Sequence, residues 1–462
     1  MAMGRRKTER QGALFITTEA LPKSAGHPFY RQLNGLLKEA EFDRWAEDLC
    51  RPYYEEEERR GRPSLPPGVY FRMLLIGYFE GIDSQRGIAW RCADSLALRE
   101  FLGIALNEAT PEHSTLGYTR RRLPPEVFAD VFQFVLKLAA VKQLLSGKTV
   151  GVDSTMLEAN AAMKSIVRRD TGEDWKEYVT RLMREDGVIE PDEKPSDEDV
   201  RRFDKNRKDK KVSNEEWVSE TDPAARIAKL KDGRTHLAYK AEHVVDLATN
   251  IIVAAEIHPA DHGDTQTLVD SVMTAQVHLE QIDEALQIEE IVADKGYHAA
   301  ATIEHCDALA LRTYIPEREA KHAAHWIDKP ADYQRCVVNN RRRVQRPKSK
   351  QFQRQRSELC ERTFAHVCDT GGMRRTWLRG LIDVSKRYLI AVAGHNLGQI
   401  MRKLFGIGKP RRLQDGAVLA ALGSALVRVR TGFRTLATIG TAILRPSVVF
   451  RFQNQPGGYQ TA

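Results

Sequence analysis

The chain has no Cys-x-x-Cys pair. Its six cysteines, Cys50, Cys92, Cys306, Cys336, Cys360 and Cys368, are scattered over 462 residues, which speaks against a secreted disulfide framework and for reduced thiols in a cytosol. No stretch reaches the roughly 20 uninterrupted apolar residues that a membrane span needs. The most apolar tract, Gly416 to Phe450, is broken by Arg428, Arg430, Arg434 and Arg445. The opening Met1-Ala-Met-Gly-Arg-Arg-Lys lacks the apolar core of a signal peptide, so a soluble intracellular protein is expected. A P-loop lysine motif is missing, which removes the signal for ATP use, and there is no internal repeat.

What is present is charge, unevenly spread. The net formal charge is only +8, but from Arg341 to the end there are 24 Lys and Arg against five Asp and Glu. The last quarter is therefore strongly basic and the remainder acidic. Clustered cations gain affinity for a polyanion by releasing its condensed counterions, so the basic quarter is expected to face nucleic acid. The length allows two or three domains, each with its own core.

Residues 28–146 read as helical. Tyr70-Phe-Arg-Met-Leu-Leu-Ile-Gly-Tyr-Phe carries an apolar face and follows Pro63, Pro66 and Pro67, which suit a helix start. Ser95 and Ser114 are candidate N-caps, and Pro124-Pro-Glu opens a helix from Val127 to Leu145. At Lys148 the pattern changes. Thr149-Val-Gly-Val-Asp reads as a short buried strand ending in a carboxylate. A charged, Pro-punctuated insertion at about 164–231 has too little apolar content for much core and is expected to be a loop. His236 to Asp246 and Ile251 to Ile257 then read as an antiparallel hairpin around Ala248-Thr-Asn250. A helix (Thr265 to Leu279), a strand (Ile288 to Ala293), a helix (Ala299 to Leu309) and a strand (Arg312 to Ile315) follow. A coreless basic loop is expected over Arg335 to Arg356, a helix from Ser357 through Phe364, and largely helical chain from Trp377 to Leu404.

Two carboxylates stand at predicted strand ends: Asp153 in Val150-Gly-Val-Asp-Ser-Thr and Asp294 in Ile291-Val-Ala-Asp-Lys-Gly-Tyr. Ligands of α/β sheets gather there, and a carboxylate directly after an apolar strand must be solvated, paired or metal-bound. An Asp capping a turn is the plainer reading of each. Glu361, in Glu358-Leu-Cys-Glu-Arg-Thr-Phe-Ala-His, is the third candidate. Three such hard oxygen ligands suit Mg²⁺ (or Mn²⁺), and two ions can stabilise the attacking and leaving oxygens of phosphoryl transfer. Arg341, Arg342, Arg343, Arg346, Lys348, Lys350, Arg354 and Arg356 lie beside Glu361 and are candidates for gripping a nucleic-acid backbone, with Arg120 and Arg121 at the end of an N-terminal helix.

Taken in order, these motifs resemble the three acidic motifs of the insertion-sequence DDE transposases of bacteria. Gly61-Arg-Pro-Ser, Leu74-Leu-Ile-Gly-Tyr-Phe, Arg99-Glu-Phe-Leu-Gly and His113-Ser-Thr-Leu are similar to the helical N-terminal domain of that group. The resemblance runs from about residue 28 to about residue 406. It implies an α/β fold, a ribonuclease-H-like mixed sheet with flanking helices, preceded by an all-helical DNA-recognition domain. The divisions are 28–146, a catalytic domain over 147–406, and a basic tail over 407–462. It further implies Mg²⁺ (or Mn²⁺) at Asp153, Asp294 and Glu361, binding to terminal inverted repeats and target DNA, a homodimer on DNA, and a cytoplasmic, nucleoid-associated location. The expected activity is cleavage at element ends and 3′-hydroxyl strand transfer. Its alternatives are a metal-dependent DNA endonuclease that does not join strands, and a non-catalytic transposase-derived DNA-binding protein.

One departure stands out. Related enzymes carry an Arg before the glutamate and a Lys about two turns after it; counted from Glu361, those positions hold Ser357 and Cys368. Arg354, Arg356 and Arg362 are candidates for the missing cation. Counting from Glu358 instead aligns Arg354 but leaves Ala365 at the Lys position, so Glu358 is the second choice. Glu158, five residues after Asp153, is an outside candidate, with a helical salt bridge as the plainer reading. His322, His325 and Cys336 form at most a partial zinc set with no fourth ligand at suitable spacing. Lys295 and Tyr297 read as DNA contacts or turn residues, His395-Asn396 as a core pair, and Trp377 as packing on the sheet.

Overall fold

Proline placement starts the helices of the first third. In the computed structural model, which describes residues 27–54, 64–208, 213–230, 232–319, 326 and 329–411, seven helices run α1 (Pro28–Glu39), α2 (Phe42–Cys50), α3 (Pro67–Glu80), α4 (Gln85–Asp94), α5 (Leu96–Leu102), α6 (His113–Arg122) and α7 (Pro125–Val141). Helices α1, α3 and α7 carry Pro in their first turn, where the missing N–H has no intrahelical partner to lose. Helix α3 stops at Gly81, whose φ of 69° suits glycine. Ser95 caps α5 by accepting from Leu98 N. Ser114 does not cap: α6 begins at His113, so Ser114 lies inside the first turn. Gly61, His322, His325 and residues 412–462 of the expected tail lie outside the described residues.

The strands are β1 (Thr149–Glu158), β2 (Ile166–Arg168), β3 (Trp217–Ser219), β4 (Arg226–Lys229), β5 (Thr235–Asp246), β6 (Ile252–Pro259), β7 (Glu290–Val292) and β8 (Arg312–Tyr314). Among them run α8 (Trp175–Glu185), α9 (Asp197–Asn206), α10 (Asp264–Glu280) and α11 (Ala300–Ala308), followed by α12 (Ala331–Val344), α13 (Pro347–Phe364) and α14 (Leu381–Phe405). The main sheet orders as β6-β5-β1-β7-β8, with β4 on the outer edge of β5. Strands β6, β5 and β1 are antiparallel; β1, β7 and β8 are parallel. This is the ribonuclease-H-like mixed sheet, behind an N-terminal helical region.

Alternation along β1 sorts its side chains. Val150 and Val152 join Val244, Leu268, Val272, Ile291 and Tyr297 in the core beneath α10. Gly151 faces the other way, against α13. On that side Asn396 of α14 bonds both the N–H and the C=O of Ile252, confirming His395-Asn396 as interior residues. The described residues up to Pro410 form one compact unit. No helix among the described residues is long and apolar enough to cross a membrane.

Three expectations need correction. The strand predicted to end at Asp153 continues to Glu158, because β5 pairs with β1 along its whole length. The insertion is not a coreless loop. Helices α8 and α9 bury Val179, Met183 and Val200 against Trp175 and Phe203, while β2 pairs with β3; Asp174 and Ser196 cap the two helices. A few apolar residues at helical spacing suffice for this miniature core, which composition averaged over the segment hides. The basic stretch is not a loop either. It forms α12 and the first turns of α13, because Cys336, Val337 and Asn340 find burial against α11 and β8.

Candidate metal and nucleic-acid site

Asp153 and Asp294 each stand two residues past the last pair of one parallel ladder. The parallel pairing of β1 with β7 matches Thr149 with Glu290, Val150 with Ile291 and Gly151 with Val292, and then stops. Continuing that register by two residues sets Asp153 level with Asp294. Asp153 is mid-strand toward β5 but lies beyond the end of its pairing with β7. Asp294 caps the turn Lys295–Tyr297, its Oδ1 accepting from Gly296 N at 2.7 Å; the capping role and a place at the strand end coexist.

Helix α13 crosses this edge on the Asp153 face. A Cβ on Gly151 would stand 2.9 Å from Arg356 Cγ and 3.3 Å from Cys360 Sγ, so the glycine is what lets the helix approach. Gln353 Nε2 donates to the carbonyls of Ala293 and Tyr314, docking the same helix on the ends of β7 and β8. Arg356 Nη1 lies 3.0 Å from Asp153 Oδ2, and Arg356 Nε is buried with no hydrogen-bond partner among the described residues. Of the cations weighed for the departed motif position, Arg356 is the one on Asp153, whereas Arg362 pairs with Glu358. Cys368, at the other departed position, is buried beside Tyr388.

Glu361 follows Cys360 on α13 and is exposed, with Oε1 accepting from Ser357 Oγ at 3.1 Å. Burial first, then the charges of Asp153 and Glu361, push the Cys360 thiol up, which places both carboxylates within electrostatic reach of one sulfur. Glu358 turns to Arg362 instead. Among the described residues no three His, Cys, Asp or Glu side chains stand close enough to share an ion. Asp153 and Asp294 follow one ladder at the same offset, and Glu361 is on the helix that packs on Gly151, bonded to Ser357. In kind the donors fit a hard divalent cation, which takes carboxylate oxygens. Positive charge is already drawn to Asp153, by the Arg356 guanidinium.

The basic residues divide into two sets. Arg341 pairs with Glu317; Arg343 bonds Thr313 O and Oγ1 and has its pKa lowered, chiefly by burial. Lys348 lies 2.6 Å from buried Glu290. Burial alone would raise that carboxyl, but bonds from Lys348, Thr149 and Tyr314 outweigh it and hold its pKa low. These three cations, with Arg356, brace α12 and α13 against the sheet. Arg342, Arg346, Lys350 and Arg354 are exposed along the same helices. In α6, Arg120 is half-buried near Asp383 (3.4 Å), whereas Arg121 is exposed over the Tyr118 ring.

Other sequence readings fall elsewhere. Glu158 sits on a strand, not a helix, 3.7 Å from Arg375. Trp377 does not pack on the sheet; it is exposed and donates from Nε1 to Asp83. Cys336 is buried and donates to Asp307. Tyr297 is buried, its hydroxyl donating to Glu242, while Lys295 is exposed. Sequence reasoning passed over Lys240, Glu242 and Asp264, which meet behind the Asp294 turn. Their one signal was a Lys and a Glu two residues apart within a predicted strand.

Residues 18–122 match the family model described as Transposase domain (DUF772), and residues 203–397 match that of the Transposase DDE domain. Asp294 and Glu361 fall inside the second match and Asp153 precedes it. No curated protein and no solved structure matches the chain.

Proposed function

We propose, for a chain that belongs to the insertion-sequence DDE transposases, that it cleaves DNA at the element's ends and transfers the freed 3′-hydroxyl into target DNA. Asp153, Asp294 and Glu361 are the proposed ligands of Mg²⁺ (or Mn²⁺). When bound, such ions supply electrophilic stabilisation to the attacking and leaving oxygens of an in-line displacement. The observation that carries the reading is the register bringing Asp153 level with Asp294 beneath a helix that bears Glu361 and is seated on Gly151.

In the first reaction a water oxygen bonds to phosphorus and the bond to the 3′ oxygen breaks, leaving a 3′-hydroxyl on the element. In the second that hydroxyl attacks a target phosphorus and the bond to a target 3′ oxygen breaks; the proton lost by the attacking hydroxyl is balanced by one that the departing oxygen takes up through solvent. The chain's own part is placement. Arg342, Arg346, Lys350 and Arg354 hold phosphates on the exposed side of α12 and α13, and Asp153, which pairs with Arg356, would hold the ion together with Asp294 and Glu361. The N-terminal helices, with Arg121 exposed at the end of α6, read the terminal repeats, and two copies act on paired ends.

The test is Mg²⁺-dependent cleavage of DNA bearing the flanking repeats. Asp153→Asn should abolish cleavage and leave end binding largely intact; undiminished cleavage would overturn the assignment. A pre-cut element end separates the joining enzyme from a plain nuclease, which yields no joined product. Binding without any cleavage by the native chain would identify a non-catalytic DNA-binding descendant.

A further inference from the structure

Behind the site, on the opposite face of the sheet from Asp153, lies a network of buried charge. Lys240 and Glu242 of β5 are both fully buried. Lys240 Nζ lies 2.8 Å from Asp264 Oδ1, 2.9 Å from Thr267 Oγ1 and 3.9 Å from Glu242 Oε2. Glu242 accepts from Thr267 at 2.9 Å, Ser271 at 3.2 Å and the Tyr297 hydroxyl at 3.0 Å. Burying such ions carries a desolvation penalty of several kcal/mol per ion, and apolar residues of similar volume often serve stability equally well. Stability therefore does not account for the network.

Its connections do. Ser154, next to Asp153 on β1, donates to Asp264 at 3.0 Å. A Cβ on Gly296 would stand 2.8 Å from Asp264 Oδ2 and 2.8 Å from Asp294 Oδ1, so Asp264 abuts the Asp294 turn from behind. The same turn ends in Tyr297, anchored to Glu242. Arg318 closes its outer side by donating to the carbonyls of Lys295 and Gly296.

Resting on the proposed function, we infer that Lys240, Glu242, Asp264 and Tyr297 are positioning residues: they lock the turn Asp294–Tyr297 to β1 so that Asp294 is held level with Asp153. Groups that hydrogen-bond to and orient the ligands of a metal typically change metal affinity or activity by roughly 10–100-fold when removed.

The experiment compares the full-length native chain with Tyr297→Phe and Lys240→Met. Mn²⁺ binding is read by electron paramagnetic resonance, with the Mg²⁺ requirement for cleavage, binding to end DNA without metal, and thermal melting alongside. Mn²⁺ affinity should fall by about tenfold or more, with the Mg²⁺ requirement rising in step and end binding unchanged. Should Lys240→Met fail to fold, Ser154→Ala removes only the donor to Asp264 and should shift Mn²⁺ affinity in the same direction. A lowered melting temperature with native Mn²⁺ affinity would overturn the inference by making the network purely structural. A native chain that binds no Mn²⁺ would instead refute the functional reading beneath it.

Discussion

Asp153 on β1 stands directly opposite His243 on β5, and helix α13 holds both. Residues paired across an antiparallel ladder project from the same face. Arg356 of α13 meets the Asp153 carboxylate, and two turns later Phe364 stacks on the His243 ring at 4.1 Å with 13° between planes. His243 is also fixed through Thr363 at 2.9 Å and the Tyr388 hydroxyl of α14 at 2.7 Å. The helix that carries Glu361 is therefore registered on the sheet by a charge at one point and a ring at the next.

His243 makes that registration acid-sensitive. Burial pushes its pKa down to about 3 from 6.5, so in the folded chain it stays neutral while the unfolded chain takes up a proton below pH 6.5. Stability therefore falls as pH drops from 6.5 toward 3 and is unaffected by this group above pH 7. At pH 5 the loss from His243 alone is about 2 kcal/mol. Urea unfolding at pH 7 and pH 5 checks this, and His243→Gln should show a shallower dependence.

Gly151 sets how closely α13 approaches. An added Cβ would meet Leu247 Cδ2 at 2.7 Å and Arg356 Cγ at 2.9 Å. Gly151→Val should cost about 1–3 kcal/mol by overpacking and reduce cleavage further than the stability loss explains, because Glu361 moves with the helix. Melting curves and cleavage rates at a temperature where both proteins are folded make the comparison.

On the proposed function, Arg356 would compete with a divalent ion for Asp153. Removing it should tighten Mn²⁺ binding without DNA by up to about tenfold, the equivalent of roughly 1.4 kcal/mol. Calorimetric titration of Arg356→Ala reads this directly; weaker binding would mean that Arg356 helps to shape the ligand set instead of occupying it.

The two sets of cations should behave differently. Alanine at Lys350 or Arg354 should weaken DNA binding uniformly across sequences and lower the slope of log affinity against log salt by about 1 each. Alanine at Arg343 or Lys348 should chiefly destabilise the fold, since each is bonded to the sheet. Binding measured at several salt concentrations, with a melt on each variant, separates them.

Glu361 and Glu358 are one turn apart but differently engaged: the first with Ser357, the second with Arg362. Glu361→Gln should eliminate cleavage. Glu358→Gln should retain most of it, since Glu358 loses only a surface pair of the kind that contributes about 0–1 kcal/mol. The reverse pattern would move the third acid to Glu358.

Local pattern was enough for much of this protein. Proline and serine positions started most of the N-terminal helices, a turn between two strand-like runs marked β5 and β6, and apolar runs ending in Asp singled out Asp153 and Asp294, because these signals act within a few residues of chain. The charge imbalance after Arg341 was legible for the same reason: it needs only counting. Partners distant in sequence were decided by tertiary structure alone. Whether a basic residue braces a sheet or faces solvent depends on what packs beside it, which is why Arg343 and Lys348 parted from Lys350 and Arg354. The insertion and the α12–α13 region became ordered because a few apolar side chains found burial that their polar neighbours concealed. Lys240 and Glu242 acquired meaning only when folding brought Asp264 and Tyr297 to them, since a buried charge is tolerable only beside the opposite charge or a hydrogen-bond donor that the sequence places elsewhere.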